Sequence, residues 1–382
     1  MKHTSRLIVC LVAFLAGCHV GSSIPETTIN ASGEIVVSLF NDGLEANAKS
    51  ELQVAMDEFN VQNAGKIELL PTESANNADL VISSLSTALS FQRNGQALEI
   101  DAPGAILGTM PLALQGYVLY YNPRLFQECG FDTPGRTWVE FFAMAQKIQQ
   151  ETTVPGFAIK DGDIGKHLEI VFWQNDIHFT DPLARTAAFN SEDAIQCLSL
   201  LHAGVEQGYV NASPASDSSL TTSEFREGKV ASFIGTPEDE PWLPTDTGIA
   251  LLPSGTDSRQ VFQGIVISVM KSNDERQQAA QSAMEYLSSP QVSGRLCAAG
   301  KYTSPFKEAT QNENYQVTRQ TDMALSILEK AREESVVAFA SNEDAIAIYQ
   351  LENAWKDIMQ GSDIAQSLSS AESLTNYALS EN

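Results

Sequence analysis

Gly116-Tyr-Val-Leu-Tyr-Tyr-Asn122, continuing as PRLFQECGFDTP to Pro134 and then to Trp138, is the stretch on which the fold turns. The first seven residues form an apolar and aromatic run of the kind that pairs as a buried strand. Trp138, Phe141, Phe142, Ala145 and Ile148 then recur at helical spacing. A strand that hands over to an amphipathic helix is the unit of an α/β chain, and the sequence repeats it on both sides.

Upstream, Glu34 to Phe40 (EIVVSLF) is β-rich, and Leu44, Ala48, Leu52, Ala55, Met56 and Phe59 follow at helical spacing. Lys66 to Leu70 and Asp79 to Ser83 are short apolar runs bounded by polar residues, as expected of parallel strands buried between helices. Downstream, Ile195, Leu198, Leu201 and Val205 mark another helix, with Ser191 placed to cap it. Strand-like runs at Val230 to Ile234, Gly248 to Leu252 and Gln260 to Met270 precede a mainly helical remainder from Asp274, ending in the amphipathic run Ala345 to Met359. Trp138 and Trp355 sit at core positions of their helices. No short-period repeat appears, which excludes a solenoid.

At the start of the chain Lys2 and Arg6 precede the apolar run Leu7 to Ala16, which ends in Leu15-Ala16-Gly17-Cys18. This pattern is expected of a lipoprotein signal peptide, residues 1–18, with Cys18 lipidated after cleavage. An ordinary secretory signal with an incidental cysteine is the alternative. Residues 19–33, rich in Ser, Thr, Ile and Pro, are expected to form a flexible tether, with the ordered body starting near Glu34. The chain's 382 residues suffice for two or three domains. A formal net charge of −25 argues against nucleic acid and against anionic lipid as partners. Cys129, Cys197 and Cys297 are an odd number and no disulfide framework, and read as small apolar fillers, though one bridge stays possible in an oxidising compartment.

Catalytic signatures are missing: there is no HExxH, GxSxG, GxGxxG or phosphate loop, and the histidines lack the short spacings of metal ligands. Neither a metal nor a cofactor is expected. Paired carboxylates such as Glu238, Asp239 and Glu240 are too common among 48 acidic residues to mark a glycosidase alone.

The order of landmarks resembles that of the family 1 extracellular solute-binding proteins, the group of maltose-binding protein and related ABC-transporter lipoproteins. The opening stretch is similar to the family's strand, "YN", short helix, "G" and "P..W.EF" segment. Phe225-Arg-Glu-Gly-Lys-Val-Ala231 is similar to its "F..GK.A" turn, and Leu252-Pro253 with Gly255 to its "LP.G". Gly264 to Met270, Pro290 to Phe306 and Trp355 to Gly361 continue the match in order. The resemblance implies a two-lobed periplasmic binding protein-like fold of type II, with a ligand cleft between lobes joined by a hinge. It implies an N-terminal lobe of residues 34–115 and 264–311 and a C-terminal lobe of residues 116–263 and 312–382.

By position, the resemblance carries ligand-binding candidates onto Phe40, Asn41, Asp42, Ser83, Ser84 and Gln115 on one side. Asp163, Trp173, Gln174, Glu238, Asp239 and Trp242 come from the other, and Phe262, Gln263 and Tyr302 close the cleft. Phe40, Trp173 and Phe262 fit a core position as well as a cleft. Polar side chains interleaved with aromatic rings suit a sugar, whose hydroxyls need paired donors and acceptors and whose C–H faces stack on rings. The expected ligand is a small polar solute, a mono- or oligosaccharide or a polyol phosphate. Two departures count against a long glucan: Gly235 is followed by TPEDEP, with the aromatic delayed to Trp242, and Ser83 and Ser84 are small. The implied partners are ABC permease subunits and, through Cys18, the membrane; the protein is expected to be a non-enzymatic, extracytoplasmic monomer. The alternatives are a secreted lipid-anchored carbohydrate-active enzyme and a sensor or adhesin built on the same fold.

Overall fold

The computed structural model describes residues 27–160, 163–181, 185–212, 220–255, 260–332 and 342–381. The chain opens with β1 (Ile35–Asn41), α1 (Ala46–Gln62), β2 (Ile67–Pro71), β3 (Leu80–Ser84), α2 (Leu85–Arg93) and β4 (Met110–Gly116). Then come β5 (Val118–Tyr121), α3 (Pro123–Glu128), α4 (Trp138–Thr152), β6 (Phe157–Ala158), α5 (Ile164–Gln174), β7 (Thr180–Asp181) and β8 (Thr186–Ala187). They are followed by α6 (Glu192–Glu206), β9 (Val210–Asn211), α7 (Leu220–Arg226), β10 (Ser232–Gly235) and β11 (Gly248–Ala250). Strand β12 (Phe262–Val269) leads into α8 (Asp274–Leu287), α9 (Pro290–Gly300), α10 (Glu313–Thr321), α11 (Met323–Arg332), α12 (Asn342–Met359) and α13 (Ile364–Glu381).

Two five-stranded sheets organise the molecule into two lobes. The first runs β2-β1-β3-β12-β4 and the second β11-β5-β10-β6-β9. In the first sheet β1 is parallel to β2 and β3, while β12 is antiparallel to both β3 and β4. In the second, β10 lies antiparallel to β5 and parallel to β6. The chain passes between sheets at Tyr117, the residue separating β4 from β5, and returns between β11 and β12. Each lobe has its own apolar core. Leu52, Phe59, Ile82 and Leu296 belong to the first, and Trp138, Phe141, Phe157, Phe172 and Trp355 to the second. Burial of these residues holds each lobe together; an aromatic such as Phe141 or Phe157 removes about 150–250 Å² from water.

Local chemistry explains the diagnostic stretch. Asn122 Oδ1 accepts from the Arg124 and Leu125 amides at 3.1 and 3.3 Å, capping α3 just as Pro123 fixes its first residue. Thr137 and Glu140 form a capping box that starts α4 at Trp138. Ser191 caps α6 as expected, its Oγ accepting from Ala194 N at 3.2 Å. The three body cysteines are free thiols, Cys129 and Cys297 buried in the cores of different lobes.

One boundary differs from expectation. Residues 27–33 were expected to belong to a loose tether, yet they dock on the body. Ile29 bridges Ile35, Val36 N donates to Thr28 O at 2.9 Å, and Thr27 Oγ1 donates to Asn273 at 3.0 Å. Asn30 closes the turn, its Oδ1 accepting from the Ser32 and Glu34 amides at 2.9 Å each. The lipidation candidate Cys18 and the signal segment lie outside the described residues. Among the described residues, no helix is long and apolar enough to cross a membrane.

Candidate functional site

A cavity of about 650 Å³ opens between the two sheets. Its first-lobe wall is built from strand ends. Asp42, Gly43 and Glu45 lie in the turn from β1 into α1, Ser83 and Ser84 end β3, and Gln115 lies in β4. Gly43 lets the turn lie close to β3, since a Cβ there would stand a tight 3.1 Å from the Ser83 Cα. Ser84 caps α2, accepting from Thr87 N at 3.3 Å, and shares hydroxyl contacts with Ser86 and Thr87 at 2.9 and 3.0 Å. Tyr302 rises between these elements, its phenolic oxygen accepting from Glu45 N at 2.9 Å, so that its own O–H remains a donor. Burial holds that phenol well above its ordinary range.

The opposite wall is the loop after β10. Asp239 folds back so that both its carboxylate oxygens lie 2.7 Å from Lys160 Nζ, and Oδ2 also accepts from Thr236 N at 2.8 Å. Gly235 makes room for that return: a Cβ there would meet Asp239 Oδ2 at 2.6 Å and the Tyr120 ring at 2.8 Å. Glu238 faces the cavity half-buried. Desolvation first, then the charges of Glu45 across the cleft and of Asp239, push its carboxyl up to about 7, against the opposing pull of Lys301 and Lys160. Trp242 stands at the mouth, 68% exposed, and not in the lobe's core.

At the crossing strands, Tyr117 donates to Gln263 Oε1 at 2.6 Å, and Gln263 Nε2 donates to both Glu169 oxygens at 3.1 and 2.9 Å. Lys166 completes the chain with an ion pair to Glu169 at 3.2 Å. The two crossovers are thereby tied to each other and to α5. A second link spans the cleft, where Lys301, at the end of α9, pairs with Asp322 at 2.7 Å and donates to Pro237 O at 3.3 Å.

The structure brings Asp42, Ser83, Ser84, Gln115, Glu238, Asp239, Trp242, Gln263 and Tyr302 onto this cavity. It places the other candidates elsewhere. Phe40 is a half-buried strand residue paired with Val81, and Asn41 spends its Oδ1 on the Gly43 and Leu44 amides at 3.3 and 3.1 Å. Asp163 caps α5 through Lys166 N at 3.0 Å. Trp173 packs edge-on against His178 and Phe179. Gln174 is buried, accepting from Trp138 Nε1 at 3.0 Å, and Phe262 is wholly buried in the core beside Leu114 and Phe233. Lys160, Glu45, Tyr117, Thr87 and Thr236 line the cavity without having been singled out in the sequence. Nothing local marks Lys160; the short strand before it is only two residues long and leaves no periodic signal.

A family model described as bacterial extracellular solute-binding protein matches residues 44–324, spanning both crossovers and every residue of the cleft except those in the turn before Leu44. The chain belongs to that family. Solved structures share its fold over most of its length. The cyclic alpha-maltosyl-1,6-maltose binding protein of Arthrobacter globiformis superposes with a TM-score of 0.73 at 18% identity, covering 92% of this chain and 100% of that one. The sugar-binding protein MalE of Xanthomonas citri gives 0.74 at 15% identity, covering 91% and 98%. A protein of Brucella abortus (strain 2308), named as a binding protein, is 23% identical over 244 residues, 55% of this chain and 58% of its own length. These relatives are binding proteins rather than enzymes, and this solute-binding protein shares their two-lobed architecture.

Proposed function

We propose that this solute-binding protein captures a small carbohydrate between its lobes and presents the closed complex to the permease subunits of an ABC importer. The observation that supports it best is the composition of the cleft: carboxylates, hydroxyls and amides converge from both sheets, with one exposed indole at the mouth. Such a wall matches sugar hydroxyls with paired donors and acceptors and one C–H face with a ring. A volume of about 650 Å³ lies within the range of small-ligand sites and favours a short saccharide over a long glucan. The structural relatives described as binding cyclic alpha-maltosyl-1,6-maltose and as sugar-binding support carbohydrate as the ligand class.

Closure follows from differential contact. A ligand that touches Asp42 and Ser84 on one side and Glu238 and Trp242 on the other gains its full set of bonds only when the lobes meet, and about 5.5 kcal/mol of such preference moves a population from 1:99 to 99:1. The lobes are taken as residues 34–115 with 264–311 and residues 116–263 with 312–382, and export with lipidation at Cys18 places the protein on the outer side of its membrane. A thermal-shift screen of mono- and disaccharides and polyols tests the reading. A ligand at 100 times its dissociation constant adds about 2.7 kcal/mol of stability, whereas a broad screen without a shift contradicts sugar capture.

One observation favours a second reading: a carboxyl near pH 7 in a cleft, as at Glu238, is what a general acid in a glycosidase requires. Its neighbour Asp239 is neutralised by Lys160, which suits a fixed wall better than a nucleophile. Prolonged incubation with the sugar found in the screen separates the two, since a binder returns it unchanged and a hydrolase accumulates product.

A further inference from the structure

On the flank formed by α10 and α11 lies a second cavity, of about 600 Å³, that shares no lining residue with the cleft. Four cations, Lys307, Arg319, Lys330 and Arg332, converge on it in a chain of formal net charge −25. The one acidic residue among the described ones that line it, Glu329, is buried and already accepts a hydrogen bond from Tyr315 at 2.6 Å. Arg332 is only 18% exposed, and among the described residues its buried Nε has no hydrogen-bond partner, the nearest Glu329 oxygen being 3.8 Å away. Among the described residues, Lys307, Arg319 and Lys330 form no ion pair. The Gln320 amide and Ser326 hydroxyl add neutral donors.

We infer that this cavity is a second binding site, for an oxyanion of the phosphate type. Glu329 offsets only one of the four positive charges, and two guanidiniums offer the forked donors that match phosphate oxygens. The low-dielectric wall around Arg332 focuses the positive field where the rest of the molecule is acidic. The site goes beyond sugar capture and does not depend on it. The same group could arrive as free phosphate or as the phosphodiester of a lipid headgroup, and the two differ in charge and in bulk.

Calorimetric titration of the full chain with inorganic phosphate and, separately, with the soluble headgroup glycerophosphoglycerol tests the inference. Saturable binding of either is expected, with Arg319→Gln and Arg332→Gln each weakening it about tenfold, as loss of a charge-assisted hydrogen bond does. Lys307→Gln combined with Lys330→Gln, both at exposed positions, should weaken it as well without disturbing the fold. Stronger binding of phosphate identifies a free anion as the ligand, and stronger binding of the diester identifies a headgroup. No binding of either, or binding that survives in the Arg319→Gln and Lys307→Gln/Lys330→Gln variants, overturns it.

Discussion

On the first-lobe side of the cleft three short polar side chains are tied to their own neighbourhood: Ser84 caps α2, Ser83 donates to Ser84 O, and Asn41 pins the turn that carries Asp42. On the other side, the loop 236–242 is held by residues far along the chain, Lys160 on Asp239, Tyr120 on Thr236 O, Lys301 on Pro237 O and the Met323 and Ala324 amides on Glu240, while Glu238 and Trp242 are left to meet a ligand. The first wall takes its shape from strand ends and helix caps, and small defects in it stay local. The second takes its shape from partners far along the chain, so losing the Lys160–Asp239 pair should disturb the loop beyond that one residue.

Asp239→Ala tests that contrast most severely. It leaves Lys160 unpaired and frees the Thr236 turn, and should weaken sugar binding by about a hundredfold while lowering stability by about 2 kcal/mol, since removing one partner of a mostly buried pair strands the other. Titration calorimetry and a melting curve read both; an unchanged affinity would mean that the second wall does not depend on this pair. Trp242→Ala should reduce affinity by about tenfold, the worth of one ring stacked on a sugar face, and should leave the ligand-free melting temperature alone because the indole is exposed. A fall in melting temperature larger than the fall in affinity would assign the ring to packing.

On the other wall, Ser84→Ala should cost about 1 kcal/mol of stability through the lost α2 cap and change affinity by less than about threefold. A loss of affinity as large as that of Trp242→Ala would erase the distinction between the walls. A further effect is in pH. Glu238 has its carboxyl raised from 4.5 to about 7, so the folded protein holds a proton that the unfolded chain has released, and stability should fall as pH rises from 4.5 to 7. Glu238→Gln should flatten that part of the pH–stability curve, as measured by denaturant unfolding at several pH values; an identical slope in the variant would show that another group is responsible.

The sequence made the architecture legible wherever a period was long enough to read. Helices α1, α4, α6 and α12 stand where Leu52, Trp138, Leu198 and Trp355 recur, and the buried strands β1, β3 and β12 appear as short apolar runs. The segments β6 and β9 are two residues each and carry no pattern, although they complete the second sheet and deliver Lys160 to the cleft. Candidates carried over from the family resemblance to strand ends, such as Asp42, Ser83 and Glu238, line the cavity because the strand fixes where its end points. Asp163 and Gln174 do not, because each flanks or ends α5 and satisfies a neighbour instead: one caps the helix, the other accepts from Trp138. The Asp163 assignment had a readable warning, an acidic residue directly before a helical run, which is the signature of a cap. Glu45 and Tyr117 gave none, since their access to the cleft comes from how the two lobes face each other.

Enclosure of the ligand between two opposed walls is read by small-angle scattering of the full chain with and without the sugar identified by thermal shift. Enclosure requires a decrease in radius of gyration on saturation, lost in Asp239→Ala at ligand concentrations that saturate the unaltered protein. Tight binding with an unchanged radius of gyration would contradict it.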